Sequence, residues 1–260
     1  LMAESLMDKE LLESTEIETV FRPLPDLSVI KLGGQSIIDR GGSVVLPLLD
    51  EIVAARADHD LLVMTGGGTR SRHAYAIALD LGMPTGVLAK LGASISEQNA
   101  LMLSLLLAPH GGVKIGHDDV VKLPAYLALG AIPVMHAMPP YGLWEEPAER
   151  GRIPPHRTDV GTFLTAEVVG ARRCILVKDE RGLFTADPKK DPQAEFIPEI
   201  EVSALLAMDL ADLAVERAML HALARARSVD EVLIINGRET GNLAQALAGN
   251  NPGTRIYRQL

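Results

Sequence analysis

A single cysteine, Cys174, has no partner within the chain, so an intramolecular disulfide is excluded and the chain suits a reduced, cytoplasmic compartment. Its setting, RRCILVK, reads as a buried strand and not as a nucleophile. Aromatic residues are only 3% of the chain against 47% hydrophobic residues, so the interior must be packed with Ala, Leu and Val, as in α/β cores. Long apolar runs are lacking too. The longest, 123–138, is broken by Pro124, Gly130 and Pro133, which excludes a membrane span there. Positive charge is short: the net charge of −9 excludes the broad basic face that nucleic acid or an anionic membrane requires. Cations serving an anionic ligand must therefore be concentrated locally. Neither a P-loop nor a complete G-x-G-x-x-G occurs. The acidic N-terminal stretch LMAESLMDKELLESTEIET lacks the basic-then-apolar order of a signal peptide, and 1–20 reads as a mobile arm or a short helix that packs on a neighbouring subunit. A chain of 260 residues is long enough for one large α/β domain or two small ones.

What the chain does carry is two apolar runs stopped by glycines, VIKLGGQSIIDRG at 29–41 and LLVMTGGGTRSRH at 61–73. Such a run, continuing into a helix-compatible segment, reads as strand, tight turn and helix. Glycine lets bare backbone N–H groups approach a ligand. A helix N-terminus adds unpaired donors and a partial positive charge, which suit phosphate or another oxyanion. Lys31 precedes Gly33 and Gly34, while Arg70 and Arg72 follow Gly66, Gly67 and Gly68, so each turn has its own cation. An ordinary strand-to-helix connection explains either turn alone. Together they suggest one polyanion held from two sides.

Read in order, 27–32 is a strand, 43–57 a helix with Ser43 as N-cap, 61–65 a strand and 70–81 a helix ended by Gly82. There follow a helix over 91–108 with apolar positions all round, a strand over 113–116, a helix over 118–129 capped by Asp118, and a strand over 131–138. The irregular segment 139–157 is long enough to be functional or mobile. Beyond it come a helix over 158–169, a strand over 173–178, the charged loop DERGLFTADPKKDPQ, a helix over 213–227, a strand over 231–235, a short helix over 242–248 and a last strand over 254–257. Strands alternating with helices predict a parallel sheet covered by helices.

The motifs KLGGQS, TGGGTR, HRTDVGTFLTAE, LVKDERGLFTADP and INGRETGNLAQALAGNNPGTRI, in this order, resemble the amino acid kinase superfamily in its uridylate kinase branch, from Phe21 onward. Within that branch the stretches FRPLPDLSVIKLGGQSIIDRG, MPPYGLW and IPPHRTDVGTFLTAEVVG look especially like molybdenum storage subunits of the beta type. The resemblance implies a three-layer α/β/α sandwich with a mostly parallel central sheet, one domain over 21–260, and Mg2+ with ATP at the C-terminal ends of the strands. Position by position, it implies Lys31 on the transferring phosphates with Gly33 and Gly34 as backbone donors, and Asp159 organising that lysine. Lys178, Asp179, Gly182, Phe184 and Asp187 would surround adenine and ribose, and Gly66, Gly67 and Gly68 with Arg70 would face the second ligand. It further implies a cytoplasmic hexamer, of this chain alone or with a related second subunit, that uses ATP to deposit molybdate or tungstate as oxide clusters. Phosphoryl chemistry asks for such parts, because it is mostly positioning and charge neutralisation.

Plainer roles fit several of these residues. Asp159 after Thr158 suits a helix start by dipole alone, Phe184 suits a core, and Lys178 suits a solvated strand end. Arg181 replaces the aspartate usual before the glycine of the family's DG turn, so the nucleotide pocket is altered or empty. Pro154, Pro155 and His156 stand where uridylate kinases carry an aromatic pair, which disfavours uridylate. The histidine run that follows PPY in alpha-type storage subunits is missing. No histidines here have zinc-type spacing, and His136 and His156 are the two candidate contacts to an oxometalate, with uptake expected to change near the ordinary histidine pKa of ~6.5. Three functions remain open: an ATP-using storage subunit, a small-molecule phosphotransferase of the uridylate kinase type, and a silent partner subunit.

Overall fold

The computed structural model describes residues 20–259, so nearly all of the arm expected over 1–20 lies outside the described residues. The strands are β1 (Ser28–Leu32), β2 (Leu61–Thr65), β3 (Gly112–Lys114), β4 (Ile132–His136), β5 (Arg173–Lys178), β6 (Leu183–Phe184), β7 (Phe196–Ile197), β8 (Glu199–Glu201), β9 (Glu231–Asn236) and β10 (Thr254–Tyr257). The helices are α1 (Gly42–Ala55), α2 (Gly68–Asp80), α3 (Thr85–Leu107), α4 (Leu123–Ala128), α5 (Thr158–Val169), α6 (Val202–Ala207), α7 (Arg217–Ala224) and α8 (Asn242–Leu247).

Eight strands form one sheet in the order β3-β4-β2-β1-β5-β9-β10-β8, and every neighbouring pair is parallel except β9 and β10. The central strands are apolar on both faces because both faces are covered. Val29, Leu62, Met64 and Leu176 point to one side, where they meet Phe163 of α5 and Met219 and Leu223 of α7. Ile30, Leu32, Val63 and Ile175 point to the other, where Leu49 and Ile52 of α1, Leu103 of α3 and Leu243 of α8 cover them. The result is a three-layer α/β/α sandwich. Each fully buried aliphatic side chain contributes roughly 1.5–3 kcal/mol, so the aliphatic composition supplies most of the core, with Phe163 as a buried aromatic within it.

Strand order reverses at β1, which has β2 on one side and β5 on the other. At such a switch point the loops leaving the C-terminal strand ends diverge and open a crevice. β1 and β5 end there with Lys31 and Lys178 on the face turned to α5, two residues beyond Val29 and Leu176 respectively, which point the same way.

Several boundaries differ from expectation. Ser43 lies inside α1, and the N-cap is Gly41, whose φ of 73° no side chain at that position would tolerate cheaply. α3 begins at Thr85, directly after Pro84. The helix expected over 118–129 splits into a 3-10 stretch, His117–Lys122, and α4, because Pro124 supplies no N–H for a continuous helix. Its start is held by Asp119 and not Asp118: the Asp119 carboxylate accepts from Gly116 N at 3.1 Å. The helix expected over 213–227 is confined to α7, and the charged loop after β5 folds into the β6–β7 hairpin. These short elements have too few residues to show a period. No helix among the described residues is long and apolar enough to cross a membrane.

Candidate functional site

The site is built on the reversal at β1. The first turn of α5 brings Asp159 over the ends of β1 and β5, where its Oδ1 accepts from Lys31 Nζ at 2.5 Å and its Oδ2 from Lys178 Nζ at 2.8 Å. Lys31 is 4% exposed and Asp159 3%. Burial pushes the Asp159 carboxyl up, but the charges of Lys178 and Lys31 outweigh it and hold the group far below the usual carboxylate range. Burial also lowers the Lys178 pKa, against the pull of Asp159. The trio carries one net positive charge in a poorly solvated place. An anion that enters replaces missing solvation, so the arrangement favours a polyanion.

Both glycine turns lie over this trio and pack on one another. A Cβ on Gly34 would collide with Gly68 N and stand 2.6 Å from Gly68 Cα, and one on Gly66 would stand 2.7 Å from Gly34 N. Bare backbone is therefore required for the turns to touch. Gly67 caps α2, whose N-terminus also receives a protein carboxylate: Thr69 N donates to Asp39 Oδ2 at 2.6 Å. Asn99 of α3 holds the second turn from behind, donating from Nδ2 to Gly66 O at 2.6 Å.

The crevice is a cleft of about 890 Å³. Lys31, Gly33, Gly34, Gly66, Gly67, Gly68 and Asp159 line it, as do Lys178, Asp179, Gly182, Phe184 and Asp187, so residues from four separate stretches meet there. Asp179 pairs with Arg40 Nη2 at 2.8 Å, Gly182 lies tight against Thr254, and Phe184 meets Phe196 edge to face at 5.5 Å between centroids. Arg181, the departure from the family pattern, stacks on the Phe196 ring at 4.1 Å and does not line the cleft.

Three expected residues lie elsewhere. Arg70 bonds Gln98 and Asn99, tying α2 to α3, and Arg72 lines the cleft in its place. Helical rotation of ~100° per residue explains the exchange: Arg72 follows Gly68 by four and shares its face, whereas Arg70 is turned away. His136, at the end of β4, meets His117 in a T-shaped contact at 4.4 Å. Its Nδ1 is buried without a partner, and burial together with the His117 charge pushes its pKa down to about 4. His156 pairs with Glu145 Oε2 at 2.9 Å, beside Tyr141. The histidines thus sit in two settings outside the cleft, and no group of three His, Cys, Asp or Glu among the described residues is arranged to hold a metal ion.

The cleft also recruits Arg72, already named as a cation of the second turn, together with Ser71, Tyr75, Arg157 and Glu216, which the motifs did not single out. Ser71 Oγ is buried without a partner, and burial pushes the Tyr75 phenol up to about 12. Only the spacing of Arg72 from Gly68 offered a sequence signal for any of them.

A model of the amino acid kinase family matches residues 26–236. The chain is 51% identical over 256 residues to molybdenum storage protein subunit beta of Azotobacter vinelandii, covering 98% of this chain and 95% of that one. It is 29% identical over 231 residues to the uridylate kinase of Methanothermobacter thermautotrophicus, covering 85% of this chain and 95% of that protein. Uridylate kinase from Archaeoglobus fulgidus superposes with a TM-score of 0.67 at 21% identity, covering 88% and 99% of the two chains. UMP kinase from Bacillus anthracis superposes with a TM-score of 0.69 at 19% identity, covering 91% and 98%. The sheet order, the switch-point cleft and these likenesses agree: the chain belongs to the amino acid kinase family.

Proposed function

We propose that this chain is an ATP-binding subunit of a molybdenum or tungsten storage assembly, built as one amino acid kinase-like domain over 21–260 behind an N-terminal arm. The observation that carries the proposal is the buried Lys31–Asp159–Lys178 trio beneath two mutually packed glycine turns, in a chain half identical to a storage subunit along nearly its whole length. The cleft volume of about 890 Å³ falls within the range of small-molecule sites. In this reading Lys31, Gly33 and Gly34 hold the phosphates, and Asp159 keeps Lys31 and Lys178 charged and apart. The wall from Asp179 through Asp187 takes the nucleoside, and Gly66, Gly67, Gly68 and Arg72 face the second ligand. Mg2+ would accompany the phosphates and supply further positive charge beside Lys31 and Lys178.

Titration calorimetry with Mg-ATP tests the nucleotide. Wild type should bind, and Lys31→Ala, shown to be folded, should bind more weakly by about 1.5–3 kcal/mol, the range for a charge-assisted hydrogen bond. Wild type without heat would refute ATP binding and make this chain a silent partner subunit. Uridylate is a poor acceptor in this reading, since Pro154, Pro155 and His156 offer no flat aromatic pair.

Oxometalate deposition is proposed to occur in the enclosed space of an oligomer, a cytoplasmic hexamer with or without a second subunit type. Leu101, Met102, Leu105 and Leu106 on α3 are exposed and make an apolar stripe suited to such contacts. His136 and His156 remain the candidate contacts. A depressed pKa keeps His136 neutral at pH 7, so it offers a metal ligand and not a charge. Uptake through His136 should accordingly persist at pH 5.5 and fail only as pH drops toward about 4, well below the ordinary histidine range. Elemental measurement after incubation with ATP and molybdate should find many metal atoms per chain. Stoichiometric or no uptake would refute storage, and undiminished uptake in the His136→Ala, His156→Ala double variant would clear both side chains.

A further inference from the structure

The first turn of α5 needs acceptors for its free N–H groups, and no local side chain provides them. They come from Glu216, the N-cap residue of α7, more than fifty positions further along the chain. Glu216 Oε2 accepts from Arg157 N at 3.0 Å and Val160 N at 3.1 Å, and Oε1 accepts from Asp159 N at 3.1 Å. In return Glu216 N donates to Asp159 Oδ2 at 3.3 Å, the oxygen that also receives Lys178 Nζ. Glu216 is 8% exposed.

We infer that Glu216 is the positioning residue of the phosphate-handling lysines: its buried carboxylate fixes the backbone of Asp159 and so sets where Lys31 and Lys178 stand. This rests on the nucleotide reading above. The residues just before it, Asp212, Leu213, Ala214 and Val215, line the cleft. Contacts that a nucleotide makes with that wall are thus transmitted through one carboxylate to the start of α5. A plain helix cap does not call for two carboxylates in one buried place. Burial and Asp159 raise the Glu216 pKa above the usual carboxylate value despite the opposing pull of Lys31 and Arg157, while three backbone N–H groups donating to its two oxygens favour the ionised form.

The titratable groups that feel this carboxylate are Asp159 and Arg157 at the α5 start, Lys31 of β1, Lys178 of β5, Tyr75 of α2 and Tyr141 in the segment after β4. Their charges make the inference separable from simple field effects. Removing a negative charge near a bound polyanion would tighten binding if only the field mattered; a lost positioning contact loosens it. Burial already lowers the Lys178 pKa, and Glu216 partly opposes this. Without that charge Lys178 gives up its proton at lower pH.

Mg-ATP titrations over pH 6–10, with melting temperatures as the folding control, compare wild type with E216Q, which removes the charge, and E216D, which keeps it but shortens the reach. Both variants should bind about tenfold more weakly at pH 7.5, as when a group that orients a ligand-binding residue is lost. Only E216Q should move the alkaline loss of binding to lower pH. Either variant, folded and binding as tightly as wild type, overturns the inference and leaves the nucleotide reading standing. Wild type without heat from Mg-ATP removes both.

Discussion

Asp159→Ala should cost about 3–5 kcal/mol of folding stability, the penalty for removing one member of a buried charge cluster. Lys31 and Lys178 would then lose their shared counterion, with the Lys31 side chain almost fully buried and that of Lys178 only 15% exposed. The sign of the pH dependence follows. In wild type the folded Asp159 pKa lies far below its unfolded value, so its contribution is complete above the ordinary carboxylate range and is lost only in strong acid. In the variant Lys178, whose pKa burial already lowers, loses the Asp159 charge that opposes the shift. The unfolded chain then binds more protons from that depressed value up to ~10.4, and stability rises with pH through that window. Urea unfolding of both proteins at pH 7 and pH 9.5 measures this. A loss under 1 kcal/mol at pH 7 or a variant less stable at pH 9.5 than at pH 7 would contradict the buried trio.

Gly34→Ala should abolish nucleotide binding and also destabilise the fold, by at least the ~1–3 kcal/mol of ordinary overpacking. The added methyl group would meet the backbone of Gly67 and Gly68, which cannot rotate aside as a side chain would. Separating the turns pulls the α2 start away from Asp39 and opens the cradle over Lys31. Gly42→Ala is the control. A Cβ there meets only Leu46, nearest at Cδ1 at 3.5 Å, at the first position of α1, so alanine should stabilise by roughly 0.4–1 kcal/mol through the unfolded chain. Paired melting and Mg-ATP titration would separate the two cases. Gly34→Ala with wild-type melting and affinity would show that the turns do not depend on bare backbone contact.

How far these outcomes were legible in the chain differs from residue to residue. The strands β1, β2, β5 and β9 were written as apolar runs with sharp ends, because a strand covered on both faces has no polar positions to spare. The two glycine stops were visible for the same reason, since nothing but glycine permits the backbone contact between Gly34 and Gly68. Motif order located Lys31, Asp159 and Lys178 as candidates, but a strand-end lysine and a helix-start aspartate have plain roles as well. Distances of 2.5 and 2.8 Å, set by parallel pairing of β1 with β5 and by the docking of α5, join the three in one cluster that no local pattern announces.

Composition and local pattern determined the fold class, the parallel sheet, the aliphatic core and the place of the glycine turns, because each depends on neighbours a few positions apart. Tertiary structure alone decided that Arg72 and not Arg70 faces the cleft, that His136 meets His117 and not His156, and that Glu216 caps a helix far earlier in the chain. The first is a matter of rotation about a helix axis. The other two join residues with no sequence relation, so the chain has no period or spacing that could announce them.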